Sequence, residues 1–137
     1  MEAEKYLERI KLIDAILINK LEDHRIWVEL ADALGGFSVG ERVQTTRNLH
    51  QKQNAIDRYI DIEAEIKALR EERQRIIDTI QKLPPTEYDI IYKIYVKDNP
   101  NTLKEIAYQY HKSYDWAKKR KRNGLRLIQS MIDKGDI

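Results

Sequence analysis

Cysteine is absent, so neither a disulfide framework nor a cysteine-ligated zinc or redox centre can form. Glycine and proline are scarce, 5 and 3 among 137 residues, which leaves few places where a helix must stop. Long apolar runs are missing too. The longest stretches, around Ile16-Leu17-Ile18, fall far short of the roughly 20 residues a membrane-crossing helix needs. The opening Met1-Glu2-Ala3-Glu4-Lys5 does not read as a signal peptide. The expectation is a soluble, cytoplasmic protein with no membrane partner.

What the chain does have is charge, and it is unevenly placed. The net +2 averages a split: residues 84–137 hold 11 Lys and Arg against 7 Asp and Glu, whereas residues 1–83 hold 14 against 16. Within Lys112–Arg126 stand seven bases and one acid. A basic concentration of this kind raises the question of nucleic acid.

The few Gly and Pro residues divide the chain at Gly35-Gly36, Gly40, Pro84-Pro85 and Pro100. Between them the sequence is rich in Glu, Lys, Leu, Ile, Gln and Arg, and reads as all-α. A first helix is expected over about 2–34, where Tyr6, Ile10, Ile13, Leu17, Trp27, Ala31 and Leu34 keep three-four spacing, interrupted by Lys20 and His24. A second is expected over about 46–83. There Tyr59, Ile62, Ile66, Leu69, Arg73, Ile76, Ile80 and Leu83 form a heptad seam with one polar member, Arg73. Each would be roughly 50–57 Å long. Similar lengths joined by a short loop, 35–45, favour a long antiparallel helical hairpin of coiled-coil type over 1–83. Its seam leaves Leu12, Ile16, Val28, Leu30, Ile60 and Ile77 uncovered, so a homodimer through the hairpin is a candidate assembly.

The glycine-containing stretch Gly35–Arg42 lacks the Gly-Lys-Ser/Thr ending and the preceding strand of a phosphate-binding loop, and no nucleotide is expected there. Arg42 and Arg47 are candidates for a phosphate backbone or an acidic partner. His24, His50 and His111 lie in different elements, without metal-ligand spacing. The acid pairs Glu63/Glu65 and Glu71/Glu72 read as solubility charges. No catalytic residue, metal or cofactor is expected, and the chain does not read as an enzyme.

Residues 84–137 carry the information. Thr86 ahead of Glu87 suits a helix start, and Tyr88, Ile90, Ile91, Ile94, Tyr95 and Val96 mark about three turns. Asp98-Asn99-Pro100-Asn101 ends them. Thr102 with Glu105 suits a capping box opening a short helix, Leu103–Tyr110. His111-Lys112-Ser113 breaks the pattern, and Ser113 is positioned to cap a final helix from Tyr114 to about Ile132. Two helices around a three-residue turn, the second one basic, are the pattern of a helix-turn-helix. Ala107 is small where the helices must approach, Ile106 and Ala117 suit the core, and Tyr114, Asp115, Lys118, Lys119 and Arg122 fall on the outer side.

The stretch Thr102–Ser113, continuing to Leu125-Arg126-Leu127-Ile128, resembles the helix-turn-helix of sigma factor region four, and Leu83–Tyr95 resembles that family's first helix. With the helical arm and Glu41–Thr45, the whole chain is similar to the ArpU/RinA-like late-gene regulators of phages of Gram-positive hosts. This resemblance implies a three-helix DNA-binding domain over 84–137 and a phage-type transcriptional regulator. Double-stranded promoter DNA would be its partner, with host RNA polymerase as a second candidate. By position it implies base reading by Tyr114, Asp115, Trp116, Lys118 and Lys119, with Thr102 and Ser113 as caps near phosphates. Lys112, Lys121 and Arg126 suit phosphate clamping and Arg122 a further basic contact from the same segment, while Trp116 suits the core between the two helices better than a DNA contact. Two residues depart from the family pattern: Arg120 stands where an apolar residue is usual, and Gly124 where alanine is. Two other readings use the same segment: a packaging protein like the small terminase subunit, and a protein-only adaptor whose basic helix meets an acidic partner.

Overall fold

A computed structural model describes residues 1–35 and 45–137. The expectations for the glycine-containing stretch, including Arg42, fall outside the described residues. Among those described there is no strand, and five α-helices follow in order: α1 (Ala3–Gly35), α2 (Thr45–Gln81), α3 (Pro85–Ile91), α4 (Leu103–Gln109) and α5 (Tyr114–Asp133). None of them is long and apolar enough to cross a membrane. Two compact units divide the chain. One comprises Met1–Ile13 with Glu71–Ile137, the other Asp14–Arg70.

In the Asp14–Arg70 unit, the buried apolar residues Leu17, Ala31, Ile62 and Ile66 come from the expected stripes, and Ala55, outside them, extends the α2 seam one step towards its start. The interruptions in the α1 stripe have partners. Lys20 pairs with Glu65 at 2.6 Å, and His24 Nε2 meets Glu63 at 2.8 Å while its ring stands edge-on to Tyr59. Glu63 and Glu65 are therefore cross-helix partners as well as surface charges, which corrects their reading as solubility residues. Ile18, Leu21, Ile26, Leu30, Leu49 and Ile60 stay exposed.

In the other unit, the start of α1 and the end of α2 pair through a buried Tyr6–Thr79 hydroxyl contact of 3.1 Å and an Arg9–Glu72 ion pair. Helix α2 ends in a tighter turn, with the Leu83 N–H donating to the Ile80 carbonyl. Helix α3 then starts at Pro85, not behind Thr86. Proline at the first helical position has φ already set and lacks only a donor that would have no partner. Thr86 makes no cap, which corrects that expectation.

The expected three-turn helix over 86–96 is not uniform. After Ile91 the backbone widens into a π-helical turn, Tyr92–Val96, closed by the Lys97 N–H on the Tyr92 carbonyl at 3.0 Å. The carbonyls left open at its end are taken by α1. Lys11 Nζ donates to the Val96 carbonyl at 3.2 Å and to that of Lys97. Further α1 residues tie to the same unit. The Tyr95 hydroxyl donates to Glu4 at 3.0 Å, and Gln129 of α5 accepts from the Ala3 N–H at 2.8 Å. Burial, then the Glu4 hydrogen bond, push the Tyr95 phenol well above its ordinary pKa.

Candidate nucleic-acid interface

The Thr102 hydroxyl accepts the Glu105 N–H at 3.2 Å and opens α4, and the Ser113 hydroxyl accepts the Trp116 N–H at 3.1 Å and opens α5. Between them the chain reverses through a Schellman closure. His111 adopts φ 54°, its N–H donates to the Tyr108 carbonyl at 3.1 Å, and the Lys112 N–H reaches back to Ala107 at 2.9 Å. The same closure ends α5, with Gly135 in the left-handed position. Glycine takes that conformation without strain, whereas the turn between α4 and α5 places a histidine, with its Cβ, in it.

Ile90, Ile106, Ala107 and Ala117 form one buried cluster, with Ile94, Leu103, Tyr110 and Trp116 packed around it. Trp116 is half-buried there, its ring 5.1 Å from that of Tyr110, so it belongs to this core more than to the outer face. Tyr110 donates to Asp89, which Lys93 also meets at 2.9 Å. Burial, then that bond, push the Tyr110 phenol up to about 12.

A second contact holds α5 against α3. Glu87 is 2% exposed, and its carboxylate accepts from Arg120 Nη1 at 2.8 Å and from Asn123 Nδ2 at 3.2 Å. Burial alone would raise its pKa, but the hydrogen bonds from Arg120 and Asn123 outweigh it and hold the group below the ordinary carboxylate range. One turn further along both helices, a Cβ on Gly124 would lie 2.9 Å from Ile91 Cγ1 and 3.6 Å from Glu87 Cβ. Arg120 and Gly124, the two departures from the family pattern, thus meet the same strip of α3. The arginine neutralises its buried acid and the glycine admits its isoleucine. Arg120 also lies over the Trp116 ring, 5.7 Å from its centre.

With Ala117, Gly124 and Ile128 buried, helical phase turns the opposite side of α5 to solvent. Tyr114, Asp115, Lys118, Lys119, Arg122 and Arg126 are all exposed there, as are Lys112 and Ser113 in the preceding turn and Thr102 ahead of α4. Lys112, Lys118, Lys119 and Arg122 have no carboxylate partner among the described residues. Arg126 is turned to the Asn123 side-chain oxygen at 2.7 Å. Lys121 is placed apart from this group, directed at Glu4 3.7 Å away and at the Tyr95 ring. Lys104 and Tyr108, one turn apart on the outer side of α4, were not among the sequence candidates. Tyr108 is 82% exposed. The signal for both was the phase opposite Leu103, Ile106, Ala107 and Tyr110.

Chemically, this surface presents ammonium and guanidinium donors that make no ion pair among the described residues, with the acid Asp115 among them, and those donors match phosphate oxygens. Among the described residues no group of three or more His, Asp or Glu is placed to hold a metal. Comparison of the chain with family models, curated proteins and solved structures finds no match.

Proposed function

We propose that this chain is a sequence-specific, double-stranded DNA-binding transcriptional regulator of phage type, acting in the cytoplasm of a bacterial host. In this reading α4, the turn at His111 and α5 work as a helix-turn-helix completed by α3, with the outer side of α5 in the major groove. Helices α1 and α2 form the antiparallel hairpin, available for dimerisation or for contact with RNA polymerase. The observation that carries the proposal is the exposed set Lys118, Lys119 and Arg122, without ion-pair partners among the described residues, on a helix whose opposite side is anchored at two places, with Lys112 in the turn just ahead of it. An anchored helix can deliver charge in a fixed orientation, which a freely solvated basic run cannot. The resemblance to sigma region four agrees with it.

The test is a fluorescence-anisotropy titration of the full chain on duplex DNA from its own genome at several salt concentrations. The double variant Lys118→Ala/Lys119→Ala should weaken binding. Its salt slope should fall by about 2, each phosphate contact contributing roughly 0.9. Unchanged affinity and slope would sink the proposal.

A further inference from the structure

Two acids lie exposed on the outer side of α5: Asp133, in its last turn, accepts from Gln129 at 3.0 Å, whereas Asp115, in its first, sits among the cations, and its presence needs a reason. Steps of four, three and four residues put Asp115, Lys119, Arg122 and Arg126 within about 40° of one line along the helix. An acid at the start of a helix commonly caps it, but Ser113 already accepts the Trp116 N–H. An acid three or four residues before a lysine commonly pairs with it, yet Asp115 makes no ion pair with Lys118 or Lys119 and no hydrogen bond among the described residues. The carboxylate is left facing outward, beside cations that have no partners of their own.

Against a polyanion such a group is a liability at every position except one that offers it a donor. In the major groove cytosine presents its N4 amino group with no acceptor beside it on the same base, adenine sets its N6 amino group next to the N7 acceptor, which repels a carboxylate, and guanine and thymine present acceptors. Resting on the DNA-binding reading above, we infer that Asp115 is the discriminating residue of this surface. It accepts from a cytosine amino group and rejects guanine or thymine at the same place, while Lys119 and Arg122 one and two turns on meet guanine edges or phosphates. The element recognised is then a duplex with a cytosine under the first turn of α5. Selectivity there comes from repulsion as much as from attraction.

The test is selection from a randomised duplex library with the full chain, followed by anisotropy titrations of the selected site and of copies changed at single positions. The wild type should show one position where cytosine is preferred over thymine by about fivefold or more. Asp115→Ala should erase that preference and bind mixed-sequence DNA more tightly than the wild type. Asp115→Asn should move it towards adenine, whose N6 and N7 suit a carboxamide. A preference unchanged in Asp115→Ala overturns the inference alone. So does a variant that only melts at lower temperature, since a role at the helix N-terminus would move stability and leave base choice as it was. No duplex binding by the wild type at low salt overturns the DNA reading, and this inference with it.

Discussion

Arg120→Met removes the guanidinium that faces Glu87 and keeps most of the aliphatic stem. The variant strands a carboxylate that is 2% exposed and retains the Asn123 donor at 3.2 Å and the Glu87 backbone N–H. Removing one partner of a buried ion pair costs about 3–5 kcal/mol. Here the Arg120 side chain is itself 45% exposed, so solvent screens part of the attraction, and Asn123 still donates. The expected loss is about 2 kcal/mol, below that range. Glu87→Gln keeps an acceptor for Arg120 and should lose about 1 kcal/mol. In the double variant no charge is stranded, so the combined loss should fall short of the two single losses added by about 1 kcal/mol. Urea unfolding followed by circular dichroism measures all three against the wild type. The dependence on pH has a definite sign. The folded pKa of Glu87 is depressed, so its contribution is complete above the unfolded value of about 4.3 and drains away as pH falls through the lower folded value. The difference between wild type and Glu87→Gln should therefore close on acidification from pH 6 to pH 3. Strictly additive single losses, or a difference that does not move with pH, would refute the claim that this carboxylate is charged and held by Arg120.

Three further outcomes follow from the same unit. Gly124→Ala gains about 1 kcal/mol in helix propensity but forces a methyl onto fully buried Ile91, at a cost of about 1–3 kcal/mol. A net loss near 1 kcal/mol is expected in urea unfolding, and a net gain would show that Ile91 yields freely. His111→Gly relieves a left-handed residue and adds unfolded-state entropy, so stability should rise by between 0 and about 1 kcal/mol. A loss above 1 kcal/mol in thermal unfolding would mean the imidazole has a role in the fold. Lys11→Met uncovers the carbonyls that end the π-helical turn, and amide exchange at Lys97 and Asn101 should accelerate relative to the core amides of α5.

How much of this was legible in the sequence depends on whether a feature is periodic or paired. Periodicity exposes a helix and its buried side, because every third or fourth residue repeats the same preference. Ile62, Ile66, Ile76 and Ile80 are buried as their spacing implies, and the phase of α5 turns Lys118, Lys119 and Arg122 outward. Pairing leaves no such trace. Glu87 and Arg120 stand 33 residues apart, and each looks like an ordinary surface charge until α3 and α5 are brought together. The π-helical turn is equally hidden, since one widened turn shifts the phase after Ile91 without any Gly or Pro to mark it. The places where the pattern fails are nevertheless informative. Lys20 and His24 break the α1 stripe and find Glu65 and Glu63, while Arg120 and Gly124 break the α5 pattern and find Glu87 and Ile91. A polar or undersized residue inside a strong periodic stripe costs stability unless another element answers it, so each interruption implies a partner elsewhere in the chain. Asp115 differs from these, since it is exposed on a polar side of α5 where water solvates it, and no partner within the chain is required. Only the proposed DNA reading gives it one, in the ligand.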